Sequence, residues 1–413
     1  MKYANSLKYI NGFEKATSRA AISQKRVMGL CASLGRVNVG AKHIVLPEGA
    51  AGHATAVMLE SVIKNAGYRV GRITSDSDFD ARSAVFLGGE MADIEDFNKC
   101  VAELKSAVMA NTDEQYLKEE IVMALSLLLC KLYGCEFIIL EGLSNGECSL
   151  DAVCAPYDLV ILPTVYSGEA DSGVISMCEA IKRGVREVVI GNQKSGVYSP
   201  VSDACMTAGA RLNVTAKPTM TVNEMTARRV EFSYSDREGF VLKSPSYILR
   251  DCAMAVIESA LALRRDGIKM PWSSIAAGLE SASNTCCFDI LSVSPAIIVD
   301  SASTACEIAS VVETFEGTVE RADSIVVCIM SQSAKMLKDQ LLAFGDRKIK
   351  CLIVYGLTDG DVIGMSNASV CDKVSGAAKQ VYTAYKNKDT VFCLGSVAFA
   401  REIKNEFIKL MGL

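Results

Sequence analysis

A chain of 413 residues, 50% hydrophobic, 22% charged and 7% aromatic, is too long for one ordinary core and too well mixed for disorder, so two domains are expected. Its 43 Lys and Arg against 48 Asp and Glu give a net charge of -5, which offers no general pull toward phosphate backbones or anionic lipid and excludes nucleic acid and membrane as expected partners. The opening MKYANSLKYINGF lacks the cationic head and apolar core of a signal peptide, and the most apolar run (121–140) is broken by Lys131 and Glu136, so a cytoplasmic protein is expected.

Strand-length apolar runs alternate with helix-length amphipathic segments, the grammar of parallel sheets with helical crossovers. HIVLP (43–47) reads as a buried strand, residues 54–67 as a helix with Met58, Leu59, Val62 and Ile63 on one face, and YRVGRITS (68–75) as the returning strand. Helix 119–134 leads into strand CEFIILEGL (135–143), followed by strand YDLVILPTV (157–165), helix 173–184, strand REVVIGN (186–192), helix 202–210 and strand RLNVTA (211–216). Residues 219–245 instead alternate polar and apolar around a D-R-E-G turn, which predicts antiparallel hairpins. Two helices, about 246–267 and 270–282, lead to a second alternating set with strands at AIIVDS (296–301), SIVVCIM (324–330), KCLIVYGL (350–357) and TVFCLGS (390–396). The domain boundary is placed near residue 288, giving domains 1–288 and 289–413.

The sixteen cysteines form no C-x-x-C pair and sit mostly in apolar stretches, where a reduced thiol acts as a small hydrophobe. Adjacent Cys286 and Cys287 are expected to be buried beside Phe288 rather than to sense redox state. Only two histidines, His43 and His53, are present, too few for a histidine metal centre or a histidine-based triad.

Several patches in fixed order resemble the Mur ligase superfamily, and within it the folylpolyglutamate synthase/dihydrofolate synthase family. They are SLKYINGF (6–13), residues 42–75, FIILEGL (137–143) with Leu150-Asp151-Ala152, IKRGVREVVIGNQ (181–193), GARL (209–212), IAAGLES (275–281) and AIIVDSAS (296–303). The resemblance runs nearly end to end. It implies an α/β, Mur ligase-like fold: an N-terminal P-loop-type nucleotide-binding domain with a small antiparallel appendage, and a C-terminal Rossmann-like domain. It also implies the family's chemistry, in which ATP and magnesium turn a folate carboxylate into an acyl phosphate that the amine of glutamate attacks.

The residues that chemistry requires are replaced. The family's G-T-N-G-K-G-S phosphate loop reads Glu48, Gly49, Ala50, Ala51, Gly52, His53, Ala54 here, so Gly52 stands for the phosphate lysine and Ala54 for the magnesium hydroxyl, with Thr55 beside it. Glu48 would face phosphate with a like charge. Glu141 ends its strand as the family's metal-binding glutamate does, but Glu147 stands about where an arginine belongs, and the family's D-H pair reads ILPTVYSG (161–168). Met177 falls at the modified lysine, Cys287 at the arginine of P-G-R-F-E, Ser303 at the histidine of D-G-A-H-N-P (whose aspartate survives as Asp300), and M-S-Q-S (330–333) at D-K-D. One oxyanion or phosphate donor is typically worth about 10²–10³ in rate, and such losses are not additive.

Glu141 and Asp300 stand either as remnants of a working metal site or as caps of the turns that follow their strands. His53 is expected as a solvated loop residue, and Gly49 and Gly52 could form a weak anion nest from amides alone. The resulting expectation is a catalytically silent folylpolyglutamate synthase homologue with no cofactor, serving a binding, regulatory or scaffold role. Its expected partner is an active ligase paralogue or a small metabolite in the interdomain cleft. The alternative is an active ATP- and Mg2+-dependent amide ligase with relocated ligands, for which Lys182, Lys194 and Arg211 are the available cations.

Overall fold

The computed structural model describes residues 2–17, 21–75, 81–111, 114–144, 149–164, 172–193, 196–215, 219–283, 285–318, 322, 324–365 and 367–412. Strands are β1 (Lys42–Leu46), β2 (Val70–Thr74), β3 (Val85–Leu87), β4 (Glu90–Met91), β5 (Phe137–Glu141), β6 (Tyr157–Leu162), β7 (Val185–Ile190), β8 (Arg211–Val214), β9 (Met220–Thr226), β10 (Arg229–Tyr234), β11 (Arg237–Leu242), β12 (Asp289–Val293), β13 (Ala296–Asp300), β14 (Ser324–Met330), β15 (Lys348–Tyr355), β16 (Ala368–Cys371) and β17 (Thr390–Leu394). Two compact units result. One holds residues 1–48, 55–217 and 253–281, the other residues 49–54, 218–252 and 282–413, so the chain passes between them several times.

The first unit is built on an eight-stranded sheet ordered β4-β3-β2-β5-β1-β6-β7-β8. From β2 to β8 neighbouring strands run parallel, and only β3 and β4 turn antiparallel at one edge. β2 and β5 are buried along their whole length, as strands covered on both faces should be. The apolar run at 121–140 divides: its first part lies in a core helix, Lys118–Tyr133, with every residue from Glu120 to Cys130 buried, which stops at Gly134 in a left-handed conformation (φ 74°), and its last four residues belong to β5. Among the described residues no helix is long and apolar enough to cross a membrane. The helices Ala50–Asn65 and Trp272–Ser281 approach so closely that a Cβ on Gly278 would overlap the Val62 backbone.

In the second unit, β9, β10 and β11 form the expected antiparallel sheet. The six-stranded sheet is ordered β12-β13-β17-β14-β15-β16, parallel except for β12. One face carries Ile308, Val311 and Phe315 from the helix Ala305–Thr318, and the other Ala377, Val381 and Ile403 from the helices Val374–Lys386 and Val397–Met411. This is the α/β, two-domain architecture that the sequence implied.

Candidate functional site: the carboxyl ends of the strands

In an open parallel sheet, ligands are bound outside the carboxyl ends of the strands. At the end of β1 the link to the next helix is short. Pro47, Glu48 and Gly49 make the turn, with Gly49 at φ 111°, where a side chain would be strained. The helix Ala50–Asn65 starts four residues before the predicted position, and its first bond runs from His53 N–H to Gly49 O (2.9 Å). Gly52, His53, Ala54 and Thr55 therefore lie in a buried helical turn, His53 only 1% exposed. The expectation of a solvated His53 is thus corrected: the early helix start turns its ring inward. Glu48 is exposed and packs against Gly142, where an added Cβ would stand 3.2 Å from Glu48 Cβ and 2.7 Å from Ser75 Oγ.

Glu141 ends β5 directly beside Leu46. It is buried, and it accepts a hydrogen bond from Arg72 Nη1 at 2.7 Å. Arg72, on the adjacent strand β2, also donates from Nε to Glu60 Oε2 at 2.9 Å, and Glu60 Oε1 accepts from the Gly89 amide at 2.8 Å. The guanidinium lies 4.3 Å from the centre of the Phe86 ring. Burial works against the charge of Arg72, but Glu60 and Glu141 outweigh it and hold its pKa above the ordinary arginine value. Two buried carboxylates thus share one permanent cation. Sequence reading missed Arg72 and Glu60; the available signal was a charge in each of two segments, VGRIT and AVMLESVI, whose flanks are apolar.

Met177, at the modified-lysine position, is fully buried in the apolar core. Lys182 ends the helix Ser172–Lys182 and pairs with Glu179 at 2.8 Å, while Arg211 opens β8 and pairs with Glu187 at 3.1 Å. Because β1, β6, β7 and β8 are parallel, both cations sit toward the amino ends of the strands, opposite the 47–49 turn. Glu147, residues 165–168 and Lys194 lie outside the described residues.

In the second unit, Asp300 ends β13 fully buried. Its Oδ2 accepts from the Phe288 amide and its Oδ1 from the Ala302 amide, both at 2.7 Å. Burial pushes its pKa up to about 8, while those two amides pull it back. The segment it holds is strained, Cys286 and Phe288 having φ of 52° and 53°. Cys286 and Cys287 are buried beside Phe288 as expected, and burial raises the Cys287 thiol well above its ordinary pKa. At Ser303, where the family places a histidine, the carboxylate of Glu307 takes the amides of Ser303 (3.0 Å) and Thr304 (2.9 Å) and the Thr304 hydroxyl (3.0 Å). The amides leading into the helix Ala305–Thr318 are thus satisfied from within the chain, and the Glu307 amide donates back to Thr304 Oγ1 at 3.3 Å. Ser333, in the segment replacing D-K-D, caps the helix Ala334–Leu342.

No family model matches the sequence, and no curated protein does. Solved structures match throughout. Folylpolyglutamate synthase from Thermotoga maritima superposes with a TM-score of 0.77 at 18% identity, covering 100% of this chain and 97% of that one. The Mycobacterium tuberculosis folylpolyglutamate synthase complexed with ADP and AMPPCP gives 0.79 at 13% identity, covering 98% and 99%. The folylpolyglutamate synthetase of Lactobacillus casei gives 0.75 at 17%, covering 99% and 100%. The fold is that of these enzymes.

Proposed function

We propose that this chain keeps the folylpolyglutamate synthase fold without the ligase reaction and serves as a binding or regulatory protein, its partner an active ligase or a small metabolite. The observation that carries the reading is the pairing of Glu141 with Arg72 at 2.7 Å. Magnesium requires a near-octahedral set of oxygens. A carboxylate already bound to a guanidinium, with an alanine at the neighbouring hydroxyl position and a methionine in place of the modified lysine, does not fit that ion. With glycine for the phosphate lysine, ATP loses its main cationic contact as well.

The test is ATP titration with and without magnesium, followed by an assay for ADP formation in the presence of a folate and glutamate. Neither metal-dependent binding nor turnover is expected. Micromolar, magnesium-dependent ATP binding with ADP release would overturn the proposal in favour of an active ligase. Native mass measurement and pull-down with a folylpolyglutamate synthase as bait identify the partner.

A further inference from the structure

The first unit has an open groove of about 440 Å³ lined by Leu261, Arg264, Arg265 and Trp272. It lies where the helix Tyr247–Arg265 ends and the helix Trp272–Ser281 begins. Arg265 is held from behind: its Nη2 donates to Glu187 Oε2 at 3.2 Å and to Asn213 Oδ1 at 2.5 Å, and Asn213 in turn donates to Glu187 at 2.8 Å. Glu187 is buried, so the anchor is rigid. Among the described residues, the remaining N–H groups of Arg265 have no protein acceptor. Arg264 differs. Its guanidinium lies 5.6 Å from the centre of the Trp272 ring, and among the described residues no carboxylate pairs with it.

Trp272 is the single tryptophan of the sequence and is half-buried at the groove wall. The groove therefore combines a flat apolar surface, from Trp272 and Leu261, with two adjacent guanidinium forks, one preorganised and one without a counter-ion. An arginine fork matches the two oxygens of a carboxylate or phosphate, and an indole face stacks on a planar ring. We propose that this groove binds a small flat aromatic anion, its ring against Trp272 and its carboxylate or phosphate against Arg264 and Arg265. The site shares none of the residues at the carboxyl ends of the strands and is independent of the ligase question.

Because only one tryptophan is present, its fluorescence reports this groove alone. Benzoate, phenyl phosphate and the neutral isostere benzamide are titrated into the full chain, with isothermal calorimetry as a second readout. Saturable quenching by benzoate or phenyl phosphate, with benzamide at least about tenfold weaker, is expected, and the stronger of the two anions identifies the headgroup. Arg264→Gln should weaken anion binding about tenfold, and Arg264→Lys should recover only part of it, since a point charge lacks the fork. If Arg264 merely complements the negative end of its helix, Arg264→Gln lowers the melting temperature and leaves the titration unchanged. That result, equal binding of benzamide, or purely linear quenching overturns the proposal.

Discussion

Asp300 Oδ2 lies 2.7 Å from the backbone nitrogen of Phe288 and holds a residue at positive φ that is not glycine. An isosteric Asp300→Asn keeps one acceptor oxygen, so one of the two buried amides loses its partner, at a cost of about 1–3 kcal/mol. The sign of the pH effect follows from the raised pKa. A carboxyl at about 8 in the folded chain and 3.8 unfolded contributes stability that is full below pH 3.8 and lost as the pH rises through 8. The penalty of Asp300→Asn, measured by urea denaturation, should therefore shrink between about pH 5 and pH 9. A penalty that grows with pH contradicts the buried, largely neutral carboxyl.

Arg72→Met removes the cation that the buried acids Glu60 and Glu141 share. Removing one partner of such an arrangement typically destabilises by about 3–5 kcal/mol. The triple variant Arg72→Met, Glu60→Gln, Glu141→Gln should recover much of that loss, because no unpaired charge remains. Denaturation midpoints of the single and triple variants decide the matter; equal midpoints would mean that the acids are not energetically tied to the cation.

His43 is buried in β1, its Nε2 without a hydrogen-bond partner among the described residues. Burial pushes its pKa down to about 4, against an opposing pull from Asp158. The unfolded chain takes up this proton near 6.5 and the folded chain only near 4, so stability falls as the pH drops through that window, by about 3 kcal/mol for a shift of this size. His43→Gln should flatten the acid limb of stability against pH. An unchanged acid limb would refute the assignment.

Of the fifteen described cysteines, Cys306 alone is exposed. With an aromatic disulfide reagent the native chain should show a rapid phase that Cys306→Ser reduces by one equivalent, the buried thiols reacting only on unfolding. A rapid phase of the same size in the serine variant would show that a second thiol is accessible.

The long parallel strands were legible because their burial on both faces writes an apolar run into the sequence: FIIL, LVIL and IVVCI all became central strands. The short edges were not. β3, β4, β12 and β16 gain their identity from a neighbour rather than from their own pattern. The start of the helix at Ala50 was misplaced because Ala-Ala-Gly carries no cap signal, and with it the burial of His53. The residue types at Gly52, Ala54 and Met177 could be read directly from the sequence. The ion pair of Arg72 could not, since it joins residues 12 and 69 positions apart whose meeting is decided only by the order of the sheet.

The shared guanidinium also constrains how this sequence can change. Replacing the arginine first leaves two buried acids without their cation, and replacing one acid first leaves a tightly enclosed trio one partner short. Each stepwise route passes through a weakened intermediate, so the trio acts as a ratchet. Folding alone thus suffices to preserve it, and a mutational path that frees either carboxylate from the guanidinium must cross a valley of poorly folded sequences.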